Sequence, residues 1–402
     1  MSRKLQAVFG PPRLSRRLWL AVAFGGVGLV LAACSGMSIG DFGTPVQPGG
    51  PQQPADAIGT GRIKVGLILP LSAGGNAGLA AQSMKNAAEM ALAEFNNPDI
   101  QLLAKDDGGS TAGAQQAAQQ ALGEGAEIIL GPLFAQSVAT AGQLARGAGR
   151  PVIAFSTDTS VAARGVYLLS FLPESDVERI VSYAANNGKR SFVALVPDNA
   201  YGSVVEAAFK QSVARRSGRV VALQRYPLDK AARQDSIKAA AQAAAQADAL
   251  FIPDGPDAAE LVEALAANRV NVKRLQILGS GLWEDPSVAS SSSLHGAWYP
   301  VPEATGYRNF AARYRKRFGS DPVRTATLAY DAVALVVALV KTQGAQRFSD
   351  EVLTNSSGFA GIDGIFRFRP DGTNERGLAV MRLTPSGGQP IANAPRSFGS
   401  GT

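Results

Sequence analysis

The 402-residue chain is poor in the residues that most enzymes and disulfide-rich proteins use: it has one cysteine and one histidine. A single cysteine excludes a disulfide within one copy, so the folded part must be held by its core. The lone histidine, His295, follows the serine run 290–293, which is typical of a surface loop. With Cys34 in a segment of a different kind, no thiol–imidazole pair, zinc cluster or serine triad can be assembled. No Gly-Lys-Ser phosphate loop is present. We predict no catalytic residue, no metal and no cofactor, and therefore no enzyme.

Acidic residues are absent from the first 33 positions, which carry five positive charges before an apolar run from Leu18 to Ala33. That run is shorter than the roughly 20 residues that a spanning helix needs, and it ends in small residues, as a cleavable signal does. Its last four residues, Leu31–Cys34, resemble a bacterial lipobox. We predict that residues 1–33 are an export signal and that Cys34 is lipidated. The pair Arg16-Arg17 also resembles a twin-arginine signal, so the export route stays open.

The chain carries little net charge once this segment is removed, because the net charge then falls from +7 to +2. A chain this close to neutral lacks the electrostatic footprint of a nucleic-acid-binding protein. The remaining basic cluster is Arg313, Arg315, Lys316 and Arg317, near the end of a helical pattern. A solvated helix face is the favoured interpretation of such a cluster. We predict no nucleic-acid partner.

Residues 34–61 are rich in glycine, proline and glutamine and have almost no apolar periodicity. Such a composition predicts a flexible linker between the lipidated cysteine and a folded part.

From Ile63 onward, buried strands alternate with amphipathic helices. The stretch 127–159 shows the unit clearly: strand 128–130, Gly131-Pro132, a helix, strand 152–155, and then Ser156–Thr159. This alternation predicts an α/β fold of two Rossmann-like lobes, each a parallel sheet flanked by helices. Loops that leave the carboxyl ends of parallel strands collect at one edge of a sheet, where such folds bind ligands.

We place the boundaries as follows. Lobe 1 is 62–172 plus about 302–350, lobe 2 is 173–301 plus about 351–390, and 391–402 is a loose tail. The apolar helix 325–342 contains Asp331 and is too short to span a bilayer comfortably, so it is predicted to be a buried core helix.

Five short motifs carry a resemblance to a known family: Asp106-Asp107, Gly131–Leu133, Pro151–Thr159, Asp198–Gly202 and Leu328–Ala332. In order and spacing they resemble the type 1 periplasmic binding proteins of the leucine/isoleucine/valine-binding group, over roughly residues 63–383. That family closes two lobes on a small solute, often an amino acid. The resemblance implies a ligand site from these loop residues: Ser72, Ala135, Gln136, Ser156, Thr157, Asp158, Thr159, Tyr201, Asp254 and Trp283.

The chain departs from the amino-acid binders at three of these loops, and in one of them, 254–256, it lacks the aromatic residue that the resemblance leads us to expect. It has Ala135 where they usually offer a serine hydroxyl to the carboxylate, and Gly281 where they offer a glutamate to the ammonium group. An unpaired buried charge costs several kcal/mol, so leucine, isoleucine and valine are expected to bind weakly. Asp158 has two interpretations, a replacement for the missing acid or a cap of the next turn. Trp283 also has two, a lid on the pocket or a packed residue at a lobe edge.

Two functions remain. One is a solute receptor that delivers an amino-acid-like ligand to an ABC permease. The other resembles the lipoprotein activators of penicillin-binding proteins, which share this fold and regulate a peptidoglycan synthase by contact. Ser35 after the lipidated cysteine resembles the default for outer-membrane sorting in cells with two membranes, which favours the second. Either way we expect an exported protein, lipid-anchored in the bacterial envelope and facing the periplasm.

Overall fold

The computed structural model describes residues 57–96 and 98–399. The predicted export signal, Cys34 and the linker up to residue 56 lie outside these residues. The first sheet has the strand order β1-β3-β2-β4-β5-β6 and is parallel except for β1, which runs antiparallel to β3. Its strands are β1 Ala57–Ile58, β2 Ile63–Leu69, β3 Ile100–Asp106, β4 Ile128–Leu130, β5 Val152–Ala154 and β6 Val166–Leu168.

The linker prediction is wrong at its end. Ala57 and Ile58 pair with Leu103 and Leu102, and Ile58 also packs against the core of the lobe. A strand of two residues leaves no periodicity in the sequence, and its stability comes from the hydrogen-bonding groups of the exposed edge of β3.

Three helices flank this sheet: α1 Gly75–Glu94, α2 Thr111–Gly123 and α3 Ala135–Gly147. Their sheet-facing positions are mostly alanine, which lets the helices approach closely. Ser110 caps α2, since its side chain accepts a hydrogen bond from the Gly113 N–H.

The second sheet has the order β16-β15-β11-β10-β9-β7-β8, and its strands pair in parallel except that β15 is antiparallel to both of its neighbours, β11 and β16. Five of its strands come after the chain first passes from lobe 1 to lobe 2, which it does after β6. They are β7 Ser191–Pro197, β8 Arg219–Tyr226, β9 Ala249–Phe251, β10 Gln276–Leu278 and β11 Trp298–Val301. The helices are α4 Pro173–Asn186, α5 Ala200–Arg215, α6 Gln234–Ala244, α7 Ala258–Ala267 and the short α8 Pro286–Ala289. The alternation therefore builds two α/β lobes, as predicted.

The chain then returns to the first lobe and finally to the second. The remaining elements are α9 Ala304–Phe318, α10 Ala326–Thr342, α11 Asp350–Leu353, β12 Phe359–Gly361, β13 Gly364–Phe368, β14 Asn374–Arg376, β15 Ala379–Thr384 and β16 Gly387–Ala392. Helix α10 packs along α1 with twelve of its seventeen residues buried, Asp331 included, which confirms a core helix. Among the described residues, no helix is long and apolar enough to cross a membrane.

Two of the predicted boundaries differ from the structure. Strands β12–β14 form a small antiparallel sheet whose Phe366 and Phe368 lie in the core of the first lobe, against Tyr167, so 351–376 does not belong to lobe 2. The lobe of a segment depends on distant partners, which local pattern does not encode. The tail also begins later than predicted, because Ile391 and Ala392 belong to β16.

Candidate ligand-binding site

The predicted ligand loops of the first lobe follow three adjacent strands. Ser72 follows β2, Ala135 and Gln136 follow β4, and residues 156–159 follow β5, while the sheet order is β2-β4-β5. The carboxyl ends of these parallel strands meet at one sheet edge, so the topology brings the loops together. Gly131 makes the turn after β4 with φ +91°, and a Cβ there would lie 2.0 Å from the Ile68 carbonyl oxygen. Only glycine fits this turn.

The amino end of α3 presents free backbone N–H groups at this edge. Its cap residue is Phe134, which offers no side-chain hydrogen bond, and the first turn contains no acid. The first N–H groups of a helix have no partner within the helix, and together with the helix dipole they favour an anion. Ala135 therefore supplies a backbone N–H where the resemblance expects a serine hydroxyl, and Gln136 beside it is exposed.

The loop after β5 is organised by its own side chains. Ser156 is buried and its Oγ accepts a hydrogen bond from the Asp158 N–H at 3.1 Å. Asp158 is exposed, and its Oδ1 accepts from the Ser160 N–H at 2.9 Å, which supports the capping interpretation. Thr157 is exposed, and the Thr159 hydroxyl donates to Glu174 Oε1 at 2.9 Å. Thr157 is thus the hydroxyl of this loop that faces solvent.

The second lobe repeats this arrangement. Tyr201 follows β7, Asp254 follows β9 and Trp283 follows β10, and these strands are adjacent in the order β10-β9-β7. Tyr201 is half-buried, with its hydroxyl 3.2 Å from Ser280 Oγ and 3.4 Å from the Pro253 carbonyl oxygen.

A cavity of about 450 Å³ opens at this edge of the second lobe. Its lining combines two carboxylates, a tyrosine and apolar side chains: Pro197, Asn199, Tyr201, Asp254, Pro256, Leu282 and Asp285. Asp254 Oδ2 accepts from the Tyr226 hydroxyl at 2.8 Å, while burial raises the pKa of Asp254. The volume falls within the range of small-molecule sites.

Trp283 is fully buried in the core of the second lobe, and its Nε1 donates to the Asp254 backbone oxygen at 3.0 Å. This burial supports the interpretation of Trp283 as a packed residue, because no face of its ring is left exposed to cover the pocket. Its neighbour Leu282 is 50% exposed and lines the cavity instead.

Asp176, in the first turn of α4, is an acid beside the loop after β10 that sequence reasoning missed. Its Oδ2 accepts from the Gly281 N–H at 2.9 Å and lies 2.7 Å from where a Cβ at position 281 would be. Burial raises the pKa of Asp176 to about 7. The hydrogen bond from the Gly281 N–H lowers this pKa, while the negative charges of Glu174 and Glu284 raise it further. An acid therefore occupies the place where the resemblance expects a glutamate, supplied by another element. The signal available was the pair of acids just after Pro173, at the predicted crossing between the lobes.

His295 is exposed, and within residues 57–96 and 98–399 no group of three or more His, Cys, Asp or Glu side chains could hold a metal ion.

A family model described as periplasmic binding protein matches residues 62–389. The chain belongs to the periplasmic binding protein family. No curated protein matches the sequence. The family membership agrees with the two-lobed fold, and it implies export to the periplasm.

Solved structures of similar fold include one from Rhodospirillum rubrum described as a branched-chain amino acid ABC transporter, with TM-score 0.72, 20% identity and coverage of 82% of this chain and 99% of that one. A leucine binding protein of Thermotoga maritima has TM-score 0.57, 17% identity, and coverage of 83% and 98%. A solute binding protein of Rhodopseudomonas palustris, in complex with 3,4-dihydroxybenzoic acid, has TM-score 0.59, 22% identity, and coverage of 84% and 97%.

Proposed function

We propose that this periplasmic binding protein is a non-catalytic solute receptor of the ABC-transport type, and that it binds an amino-acid-like ligand between its lobes. The observation that carries the proposal is the carboxylate of Asp176 at Gly281. It provides a counter-charge for an ammonium group. The sequence pattern lacked such a counter-charge at position 281, and this lack had argued against amino acids as ligands.

The two lobes offer complementary chemistry to such a ligand. The uncapped amino end of α3 and the exposed Thr157 suit a carboxylate. Tyr201 and Leu282 suit an apolar side chain, while Asp176 and Asp254 suit an ammonium group. Some solved relatives bind benzoate or hydroxybenzoates. A ligand with only a carboxylate would gain nothing from these two acids, so we favour a zwitterion.

Calorimetry on the full-length chain in detergent tests the ligand class. We expect leucine, isoleucine or valine to bind more tightly than 4-methylpentanoate, which lacks the amine of leucine, and more tightly than benzoate. Asp176→Asn should lower the amino-acid affinity by at least about tenfold, or 1.4 kcal/mol. The matched control is Asp235→Asn, because Asp235 also lies in the first turn of a helix, α6, but does not accept the Gly281 N–H as Asp176 does. Equal binding of the amine-free analogue would refute the zwitterion proposal.

The second candidate is a regulator of a peptidoglycan synthase that acts through surface contact. The bonding of the Tyr201 hydroxyl within its own lobe favours it, because that group is then not directed at a ligand. Transport requires that the ligand close the lobes, so that the permease distinguishes loaded from empty receptor. Compaction in small-angle scattering with an amino acid, and capture of an ABC permease from native envelope, would support transport. An unchanged radius and capture of a peptidoglycan synthase would support the regulator.

We also propose that Cys34 anchors the protein to the envelope, on the basis of the Leu31–Cys34 pattern. Cys34→Ala should leave a protein that is not lipidated and that fractionates as soluble or stays uncleaved. Unchanged lipid labelling and membrane fractionation would contradict the assignment.

A further inference from the structure

A second cavity, of about 540 Å³, lies where the lobes meet and shares no lining residue with the pocket at Tyr201. Its walls come from one face of α4, from α5, and from the segment 369–378 that leads back to the second lobe. Thr159, which the resemblance assigned to the ligand cleft, lines this cavity instead. Its volume suits a small molecule.

Most charged residues in this cavity are already paired. Glu178 binds Arg215 and Arg216, and Glu375 binds Arg369 from the cavity side and Arg367 beside it. These acids are therefore not available to neutralise any other guanidinium group.

Two arginines of the lining form no ion pair with any of the described residues. Arg179 donates through Nε to the Leu378 carbonyl oxygen at 2.7 Å, and Arg376 donates through Nε to the Ser170 carbonyl oxygen at 2.9 Å. Burial lowers the pKa of both arginines. A carbonyl oxygen carries no full charge, so neither guanidinium group has an acid within ion-pair distance among the described residues, although Asp363 and Asp331 oppose the lowering of the Arg376 pKa. Two acids of the same lining, Glu174 and Asp371, form no ion pair with any residue that the structure describes either.

Unsatisfied polar atoms are concentrated in the same place. Of the twelve buried side-chain polar atoms without a hydrogen-bond partner in the described part of the chain, five belong to lining residues. They are Arg376 Nη1 and Nη2, Asn374 Oδ1, Glu174 Oε2 and Arg216 Nε. Arg376 is 6% exposed and Asn374 is fully buried. Orphaned polar groups are rare in folded proteins, and such a group points to a missing partner.

We propose that this cavity is a binding site for a small dicarboxylate that also carries a hydrogen-bond donor. Arg179 also donates through Nη2 to the Asn393 carbonyl oxygen at 3.4 Å, and the guanidinium N–H groups of Arg179 and Arg376 that have no such acceptor match two carboxylates. A hydroxyl or amine of the same ligand supplies the hydrogen that Asn374 Oδ1 and Glu174 Oε2 lack. The site is separate from the amino-acid cleft and does not depend on the function proposed for it.

Calorimetry and thermal unfolding of the full-length chain test the site, with malate as the probe. We expect malate to bind and stabilise the protein, succinate to bind more weakly because it has no hydroxyl, and sodium chloride at equal ionic strength to have no effect. Arg179→Gln should weaken malate binding by about ten- to a hundredfold, the value of a charge-assisted hydrogen bond. Arg179 lies on a helix face, so this variant remains informative if a change at the buried Arg376 unfolds the protein.

Two control variants distinguish binding in this cavity from binding elsewhere on the protein. Arg382→Gln removes the same charge from an exposed position outside the cavity and should leave malate binding unchanged. Tyr201→Ala, which alters the other pocket, should also leave it unchanged. The proposal is overturned if malate does not bind, if Arg179→Gln binds it as the parent does, or if Tyr201→Ala abolishes binding.

Discussion

Replacing Asp176 with asparagine should make the protein more stable at neutral and alkaline pH. The pKa of Asp176 rises from 3.8 to about 7 in the folded protein, chiefly because burial disfavours the charged form. The folded state therefore holds this proton more tightly than the unfolded state does. The stabilisation from the protonated carboxyl is complete below about pH 4 and is lost as the pH rises through about 7.

The magnitude follows from the pKa difference. One pKa unit corresponds to 1.36 kcal/mol, so the shift amounts to at most about 4 kcal/mol at about pH 8. Water reaches part of the side chain, and we expect a measured gain on the order of 2 kcal/mol. Asparagine has no charge to desolvate, and its amide oxygen can still accept from the Gly281 N–H.

Urea unfolding at about pH 4 and about pH 8 measures the effect. The variant should match the parent at the lower pH and exceed it at the higher one. Asp248→Asn is a control of opposite sign. The Asp248 carboxylate accepts from the backbone N–H of Arg190 and from the hydroxyl and N–H of Ser191, which lowers its pKa. The ionised Asp248 carboxylate therefore stabilises the folded protein above the pKa that Asp248 has in the unfolded chain, and this stabilisation is lost as the pH falls through its pKa in the folded protein. Asp248→Asn should consequently destabilise the protein at about pH 8. A parent more stable than Asp176→Asn at the higher pH would refute this account of Asp176.

Three further substitutions test the scaffold, each by urea unfolding. Gly131→Ala should cost on the order of 3 kcal/mol, because the new methyl group meets a backbone oxygen of β2 at positive φ; an effect near zero would contradict the steric argument. Phe209→Ala should cost about 3–5 kcal/mol, since it empties a buried stack on Phe251; a loss under about 1 kcal/mol would mean that the core closes over the gap. Asp363→Asn should cost about 3 kcal/mol by breaking its two-bond pairing with Arg324, and neutrality would show that the arginine finds another acceptor.

Most of the parallel strands were predictable because they are buried on both faces and appear as apolar runs between turn residues, whereas the edge strand β8 is only partly buried. Strand β2 begins at Ile63, where the alternation was predicted to begin, and the sheets of both lobes follow from the same signal. The antiparallel segment 359–376 was assigned to the wrong lobe. Its short strands carry alternating phenylalanines, which indicate a buried face but not the partner that covers it.

The site was only partly predictable, for a similar reason. The loops after the strands could be located, because their positions at the sheet edge follow from the topology alone. The counter-charge could not be located, since Asp176 and Gly281 are 105 residues apart and meet only through the packing of α4 against the loop after β10. A comparison of single positions with the family pattern therefore overlooks an acid that is supplied by a different element of the fold.

The repeated passage of the chain between the lobes has a mechanical consequence. After β6, after β11 and again after β14 the backbone leaves one lobe for the other, so neither lobe is a continuous piece of sequence. A protease that cuts one of these connections leaves two intact. The nicked protein should still run as one particle in native gels and separate into fragments only when denatured. Because three segments connect the lobes side by side, we expect the lobes to move relative to each other as a hinge, by rotation about one axis through these segments.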